Sequence, residues 1–586
     1  MLAAGLKLPL SAAAHTSYKP RICTVGRPAA AASAHPFGIR AIATSNATMT
    51  SGTAAAELDA LVQDAIVWAS QHGLVVGLGG TAPLSALIHA PLSLLPVAFP
   101  ASRFQQAKAA MTNFNTLIDR VAADEAYLCE TLTLAGQQDD FTGRLLQLLQ
   151  DSKPARAAAA AAGAKEVVLG VHRSDYMLDA PSGGFLQVEL NTIASSFACL
   201  SSITSQLHSY TLQRLAAAAA SSSSDAASAL QLLSASRLPS NTAMQGICRA
   251  LAAAVVAAGG EDAVMVMVVQ PGERNAYDQQ WLQHTLWTEH GVPTRRLTLA
   301  QIPGALQLQP AADGAGSRLV FAGSGTPVGL VYFRAGYTPN DYPTEKEWQA
   351  RSLIECSTAA KCPTVAYQLA GSKKVQQDLA GPGVVERFMG QQQGAQLRQL
   401  FAGLWSLDSP SEPSTAAVIQ DAIQNPDRYV LKPQREGGGN NLYGPELSAA
   451  LQQGLQTAGD GLAAYILMQR IVPPPQRSMF VRAGEWAEDE SLSELGIYGT
   501  FLRLGDKVVV NEEVGHLVRT KTSSSNEGGV AAGFAVLDSP LLSDPSEGLL
   551  PPQLEGSSST AAAAASFGAS GGVLAAAHAV LQSKQQ

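Results

Sequence analysis

Charge is scarce in this chain. Lys, Arg, Asp and Glu make up 15% of its 586 residues, against about 25% in ordinary soluble domains, and Ala, Ser and Gly fill the difference. There is no basic surplus either: 39 Lys+Arg stand against 47 Asp+Glu, a net charge of −8. Binding along a nucleic acid by phosphate neutralisation is therefore excluded as the main activity, and any phosphate must be gripped locally. No run approaches the ~18–20 apolar residues of a membrane span; the best candidates are cut by His89 and Pro91 or by Gly259, Gly260 and Glu261. The six cysteines, Cys23, Cys129, Cys199, Cys248, Cys356 and Cys362, include no CxxC pair, which fits neither a disulfide framework nor a structural zinc site and points to a reducing compartment. The sequence has no HxxxH, HExxH or GxxxxGK[ST], and its one GxSxG match, at 568–572, lies in an Ala/Ser/Gly-rich tail with no strand-like run before it to form a nucleophile elbow, so zinc-hydrolase, serine-hydrolase and P-loop chemistry have no carrier.

Residues 1–56 lack Asp and Glu altogether but carry Lys7, Lys19, Arg21, Arg27 and Arg40 among Ala, Ser and Thr. Basic residues spread through the whole segment predict import into a chloroplast or mitochondrion rather than secretion, with residues 1–53 as a disordered targeting peptide. A shorter cytosolic form starting at Met49 is a second expectation. Ala157–Ala162, the Ala216–Ala227 stretch with Ser221 to Ser224, and residues 541–586 read as low-complexity inserts and tail, because small side chains bury little area against the entropy of ordering them.

What remains is a body over 54–540. Leu58, Leu61, Val62, Ala65 and Ile66, then Met111, Phe114, Leu117, Ile118 and Val121, recur at i, i+3, i+4 spacing and predict a helical opening. Short β-rich runs follow at Glu166–Val171, Phe185–Leu190, Ala263–Val269, Gly329–Phe333, Tyr429–Leu431, Tyr465–Leu467 and Leu495–Leu502. The class is α/β.

The densest chemistry lies at Lys432-Pro433-Gln434-Arg435-Glu436-Gly437-Gly438-Gly439-Asn440-Asn441-Leu442-Tyr443-Gly444, directly after a strand-like run. Three consecutive glycines let several backbone N–H groups converge on phosphate oxygens. Lys432 supplies a cation, and Glu436 a carboxylate of the kind Mg²⁺ shares with phosphate. Glu189-Leu190-Asn191 ends a strand with carboxylate and amide on one face, since strand side chains alternate; both suit the same ion. A second glycine loop, 528–533, follows Arg519 and Lys521 and suits a lid over anionic substrates. Arg173 and Arg334 each sit just past a β-rich run, where α/β folds place ligand contacts.

Taken together, HRSDYM (172–177), VELNTIASSF (188–197), ERNAYDQQ (273–280), VYFRAGY (331–337), AAKCPTVAYQLAGSKKVQQ (359–377), LKPQREGGGNNLYG (431–444), YILMQRI (465–471), SELGIYG (493–499) and GHLVRTK through GGVAAG (515–533) closely resemble the eukaryotic glutathione synthetase family of the ATP-grasp superfamily. The resemblance implies an ATP-grasp fold with a helical N-terminal region and an inserted α/β substrate-binding subdomain, here near 245–365. It implies an ATP- and Mg²⁺-dependent ligase that joins γ-glutamylcysteine to glycine through an acyl phosphate, acts as a homodimer, and binds neither nucleic acid nor membrane. By matching position, Glu189, Asn191 and Glu436 are the implied magnesium ligands. Glu189, Lys373, Lys432, Glu436, Gly437, Gly438, Gly439, Asn440, Asn441, Tyr443, Met468, Gln469, Arg470, Ile471, Glu494, Lys521 and Glu527 are the implied ATP set, with Met468 and Ile471 as apolar contacts for adenine. Arg173, Ile193, Ala194, Ser195, Ser196, Glu273, Arg274, Asn275, Gln279, Arg334, Ala335, Gly336, Tyr337, Arg519, Val530 and Ala531 are the implied dipeptide and glycine set. Arg173 is the implied catalytic residue, stabilising the acyl-transfer transition state.

Four positions depart from the animal pattern: Ala194 replaces serine, Ser372 threonine, Arg470 lysine and Glu527 aspartate. Only Ala194 loses a polar group. Two other readings compete: a homoglutathione synthetase using β-alanine, from which the small pair Ala531-Ala532 argues away, and a non-catalytic ATP-grasp-like binder, which would have no need of the carboxylates, lysines and both loops together.

Overall fold

Asp124 both ends one helix and starts the next. The helix Ala101–Ala123 buries Phe104, Ala107, Met111, Phe114, Leu117, Ile118 and Val121 along one stripe, the 3.6-residue period read as an amphipathic face. Asp124 then accepts the Tyr127 N–H at 3.0 Å at the head of Glu125–Gln138, and Asp139 does the same for Thr142 in Asp140–Ala161 at 2.9 Å. Each carboxylate satisfies an N–H that a helix start leaves unpaired. Ala157–Ala161 form the end of that third helix, so this Ala run extends a regular element.

The computed structural model describes residues 52–78, 83, 85–218, 229–312, 314–434, 440–457, 461–525, 529–530, 533–551 and 572–582. Residues 1–51, on which the expected targeting peptide falls, Ala219–Ala227, Glu436 to Gly439, Glu527, Gly528, Ala531, Ala532 and 552–571 lie outside the described residues.

An eleven-stranded sheet carries the fold. Its parallel half runs Val167–Asp179, Ala360–Cys362, Val328–Phe333, Val264–Val268 and Thr294–Leu297, so the strands of the 245–365 segment continue the main sheet through Val167–Asp179. Its antiparallel half adds Gly184–Asn191, Glu485–Leu504, Lys507–Thr522 and Ala535–Asp538. Val167–Asp179 is buried along nearly its whole length, as a strand covered on both faces must be. A separate three-stranded antiparallel sheet has the order Leu404–Ser406, Tyr465–Gln469, Tyr429–Pro433, with its own small core around Leu431, Leu447, Leu451 and Leu467.

The expected tail is corrected at two places. Pro540–Ser543 is a strand paired with Val97–Pro100, and Val573–Gln582 is a helix whose Val573, Leu574, Ala576, Ala577, Val580 and Leu581 are buried in the largest core cluster. It packs on the helices Gly52–Gln71 and Ala198–Ala218. Composition concealed it because alanine dominates the segment, while Val573, Leu574, Ala577, Val580 and Leu581 keep helical spacing.

Candidate active site

The register of three strands decides which side chains meet. Arg173 lies between Tyr498 on one neighbour and Asn191 on the other, and Asp175 between Gly496 and Glu189. Arg173 donates from Nε and Nη2 to the two oxygens of Asp175 at 2.6 and 2.8 Å. Asn191 Nδ2 donates to the same carboxylate at 3.0 Å, and Arg519 Nη2 at 3.1 Å. Arg519 also pairs with Glu494. Asp175 is fully buried and tolerable there only because so many donors converge on it.

Glu189 faces Asp175 across the strands, two carboxylates that would repel each other if left alone. Burial works to raise its pKa, but Lys373, Lys432, Arg519 and Arg173 outweigh that and hold it at about 2. Glu494 is shifted the other way: burial raises its pKa, and Asp175 and Glu189 add to the effect against the opposing pull of Arg519. Glu189 is thus the committed anion of the cluster.

Two cavities adjoin this cluster. A cleft between the large and the three-stranded sheets is lined by Glu189, Lys373, Lys432, Leu404, Ile466 and Met468, among others. A second is lined by Asn191, Thr192, Ile193, Tyr337, Gln368 and Lys373, among others. Lys373 therefore stands in the wall of both. Lys432 Nζ donates to the Val188 carbonyl at 3.0 Å, tying the small sheet to the strand that ends in Glu189 and Asn191.

The loop from Thr192 to Phe197 is strained and heavily held. Ala194 and Phe197 have φ of 52° and 71°, left-handed values that cost L-residues energy and collect at functional sites. Arg334 donates to the Ser195 carbonyl and the Ser196 hydroxyl, each at 2.6 Å, and the Tyr498 hydroxyl donates to the Ser196 carbonyl at 2.5 Å. Asp278 accepts the N–H groups of Phe197, Cys199 and Leu200 at 2.8–3.2 Å, capping the following helix from outside. Nearby, Glu273 accepts the Asn275 N–H and the Gln279 amide, both at 2.8 Å, while the Arg274 carbonyl binds Gly77 N–H at 3.2 Å. Asp341 accepts the N–H groups of Gly336 and Tyr337 at 2.9 and 3.1 Å, fixing the turn after Arg334 and the buried Ala335.

The expected set is brought together unevenly. Of 468–471, Met468 reaches the cleft; Gln469 holds the Gly403 N–H at 3.0 Å, and Arg470 lies 3.8 Å from Asp427 near the surface. The second apolar wall residue is Ile466, with Ile471 outside the lining, because a strand returns to one face every two residues. Asn441 Nδ2 lies 3.4 Å from the Tyr443 hydroxyl. Lys521 sits opposite Leu492 on the strand pair that carries Glu494 and Arg519. Val530, expected at the substrate, is packed in the main core.

These elements coincide with a known protein family. The family model for the ATP-binding domain of eukaryotic glutathione synthase matches residues 55–542. The chain belongs to this family. The chloroplastic glutathione synthetase of Solanum lycopersicum is 46% identical over 486 residues, covering 82% of this chain and 83% of that protein. Glutathione synthetase of Homo sapiens is 37% identical over 491 residues, covering 83% and 97%. Among solved structures, an apo glutathione synthetase-like effector of Globodera pallida superposes with a TM-score of 0.63 at 23% identity, over 83% of this chain and 97% of that one, which speaks for the fold alone. The C-terminal helix Val573–Gln582 falls beyond the segment matched to the glutathione synthase model.

Within this chain, sequence reasoning missed Asp278 and Gly496. A Cβ on Gly496 would lie 2.6 Å from Asp175 Oδ1 and 2.9 Å from Arg173 Cδ, so the Arg173–Asp175 pair needs a glycine beneath it. Gly496→Ala is expected to keep the fold, by circular dichroism, while lowering kcat/KM at least about tenfold through displacement of Arg173. The available signal was the glycine inside a strand, which marks close approach of another group.

Proposed function

We propose that the chain ligates γ-glutamylcysteine to glycine with ATP, giving glutathione, ADP and phosphate. It is an ATP-dependent C–N ligase. The observation that carries the reading is Lys373 in the wall shared by two cavities, one with apolar Ile466 and Met468 beside the ionised Glu189, the other bordered by Asn191, Ile193 and Tyr337. Adenine sits against Ile466 and Met468, and the phosphates run past Lys432 and Lys373. The dipeptide lies between Arg173, the 193–196 loop, the Glu273–Gln279 pair and the turn from Arg334 to Tyr337. Its cysteinyl carboxylate attacks the γ-phosphate; ADP leaves, and the resulting acyl phosphate is attacked by the glycine amine, with phosphate as the leaving group. No protein nucleophile is required, so the work is positioning and charge stabilisation. Arg173 retains guanidinium N–H groups beyond those spent on Asp175 and offers them to the oxyanion of the acyl-transfer step.

Glu189 and Asn191 fit a divalent cation: one is held ionised, and the other has its amide NH₂ committed to Asp175 and the Arg173 carbonyl, leaving a carbonyl oxygen. With Glu436 they would hold Mg²⁺, an ion of hard oxygen ligands that neutralises phosphate charge when bound. We assign the protein to the chloroplast, as in its plant relatives, through residues 1–53, and expect a homodimer. The test is ADP release by residues 50–586 with Mg²⁺, ATP and γ-glutamylcysteine, with glycine, β-alanine or no amine added, and mass detection of product. Glycine is expected to give the tripeptide at the highest kcat/KM. A preference for β-alanine would move the specificity, since one methylene is worth only ~1–3 kcal/mol; nucleotide binding without turnover would overturn the catalytic reading.

A further inference from the structure

Two neighbouring lysines at the head of the helix Lys373–Leu379 face opposite ways. Lys373 lines both cavities, whereas Lys374, 4% exposed, reaches Asp408, the Ser406 hydroxyl at 2.8 Å and the Gln377 amide oxygen at 2.8 Å. An ammonium has three N–H bonds and no acceptor capacity, so this one is fully engaged by three oxygens. The Lys374 backbone N–H in turn donates to Gln434 Oε1 at 3.2 Å.

Gln377 is on the same helix, whereas Ser406, Asp408 and Gln434 lie at or just past the ends of the two outer strands of the three-stranded sheet. Ser406 ends Leu404–Ser406, and Gln434 directly follows Tyr429–Pro433, with Tyr465–Gln469 between them. That sheet supplies Leu404, Lys432, Ile466 and Met468 as one wall of the cleft, while Gln187 to Glu189, Lys373 and Gln376 form the other. Lys374, from the helix that carries Lys373 in one wall, is thus bonded at both edges of the sheet that forms the other wall. The second oxygen of Asp408 is buried without a partner, so that carboxylate is held in place chiefly for Lys374.

We propose that Lys374 is a positioning residue for the nucleotide: it sets the separation of the two cleft walls and thereby the place of Lys373 against the phosphates. This rests on the nucleotide reading of the cleft given above. The test compares the unaltered protein with Lys374→Met, Lys374→Met/Asp408→Asn and Ser406→Ala, measuring the Kd of a fluorescent ATP analogue, KM for ATP and for γ-glutamylcysteine, kcat, and the thermal midpoint.

Lys374→Met is expected to raise the nucleotide Kd and KM for ATP about tenfold, with KM for the dipeptide within about twofold. Ser406→Ala, which removes one acceptor, is expected to raise KM for ATP about two- to threefold. The double variant leaves no orphaned carboxylate and is expected to recover thermal stability while keeping the raised KM for ATP. An unchanged KM for ATP in Lys374→Met, or its return to normal together with stability in the double variant, would reduce Lys374 to a stabilising contact. Should Lys374→Met not fold, the double variant and Ser406→Ala decide alone. Failure of the unaltered protein to bind the analogue would instead overturn the cleft assignment, a separate outcome.

Discussion

Replacing Arg173 with alanine is expected to lower turnover by about 10²–10³-fold while changing nucleotide affinity little. Burial disfavours the Arg173 charge, but Asp175 more than restores it, so under the proposed function a fixed cation is in place for the acyl-transfer step without having to be recruited. Its loss removes stabilisation from the developing oxyanion and leaves the nucleotide cleft, where Arg173 is not a lining residue, largely as it was. Asp175 keeps Arg519 and Asn191 as partners, which limits the collateral damage. Arg173→Lys is expected to recover little, because an ammonium cannot reproduce the forked contact with both oxygens of Asp175 and still reach outward. Steady-state ADP release combined with direct nucleotide titration checks both parts. Full kcat in Arg173→Ala would remove the catalytic assignment.

Ending the chain at residue 571 is expected to cost about 6 kcal/mol of stability. The helix Val573–Gln582 buries Val573, Leu574, Val580 and Leu581, at about 1.5 kcal/mol or more for each such side chain, an upper estimate where the unfolded chain is itself compact. His578 also lies 3.0 Å from Glu488. With an unfolding entropy of about 2 cal/mol/K per residue, the midpoint of a body this size should fall by roughly 5 °C. The uncovered faces of Gly52–Gln71 and Ala198–Ala218 should also bind a hydrophobic dye. Calorimetry and dye fluorescence measure this. The kcat of the soluble fraction should hold, since no cavity-lining residue belongs to the helix.

All seven β-rich runs read from the sequence coincide with strands, five lying wholly inside, Glu166–Val171 overrunning Val167–Asp179 by a residue at its start and Ala263–Val269 overrunning Val264–Val268 by a residue at each end, since apolar and β-branched segments bounded by turn residues carry that information locally. Extents were harder. Val167–Asp179 continues through His172, Arg173, Ser174 and Asp175, a polar stretch that looks like a loop until its partners on Glu485–Leu504 and Gly184–Asn191 are known. The site divides in the same way. Glu189, Asn191, Lys373, Lys432 and Met468 were legible because short motifs and their family resemblance place them. Asp278 was not, because it acts on helix N–H groups about 80 residues away in sequence, and nothing local distinguishes it from a surface carboxylate. Lys374 was hidden by its neighbour, since KK in a sequence does not say which lysine turns inward. Ile466 was not legible, because the motif reads as a block and does not show the strand alternation that puts Ile466 beside Met468 in the cleft wall.

The register between Val167–Asp179 and Glu485–Leu504 also bears on how the molecule is made. Leu495 to Leu504 pair with Tyr176 to Val167, so the central strand of the sheet leaves the ribosome with its long partner still roughly 300 residues behind. At about 5–20 residues per second, that is a wait of roughly 15–60 s. Only the hairpin with Gly184–Asn191 is available to it early. Throughout that interval a long apolar strand edge is open, the kind of edge that pairs with other chains. Arg173, Asp175 and Glu189 meanwhile lack Arg519, which arrives near the end of synthesis. The cluster around Asp175 is accordingly complete only once almost the whole length of the chain is available to fold.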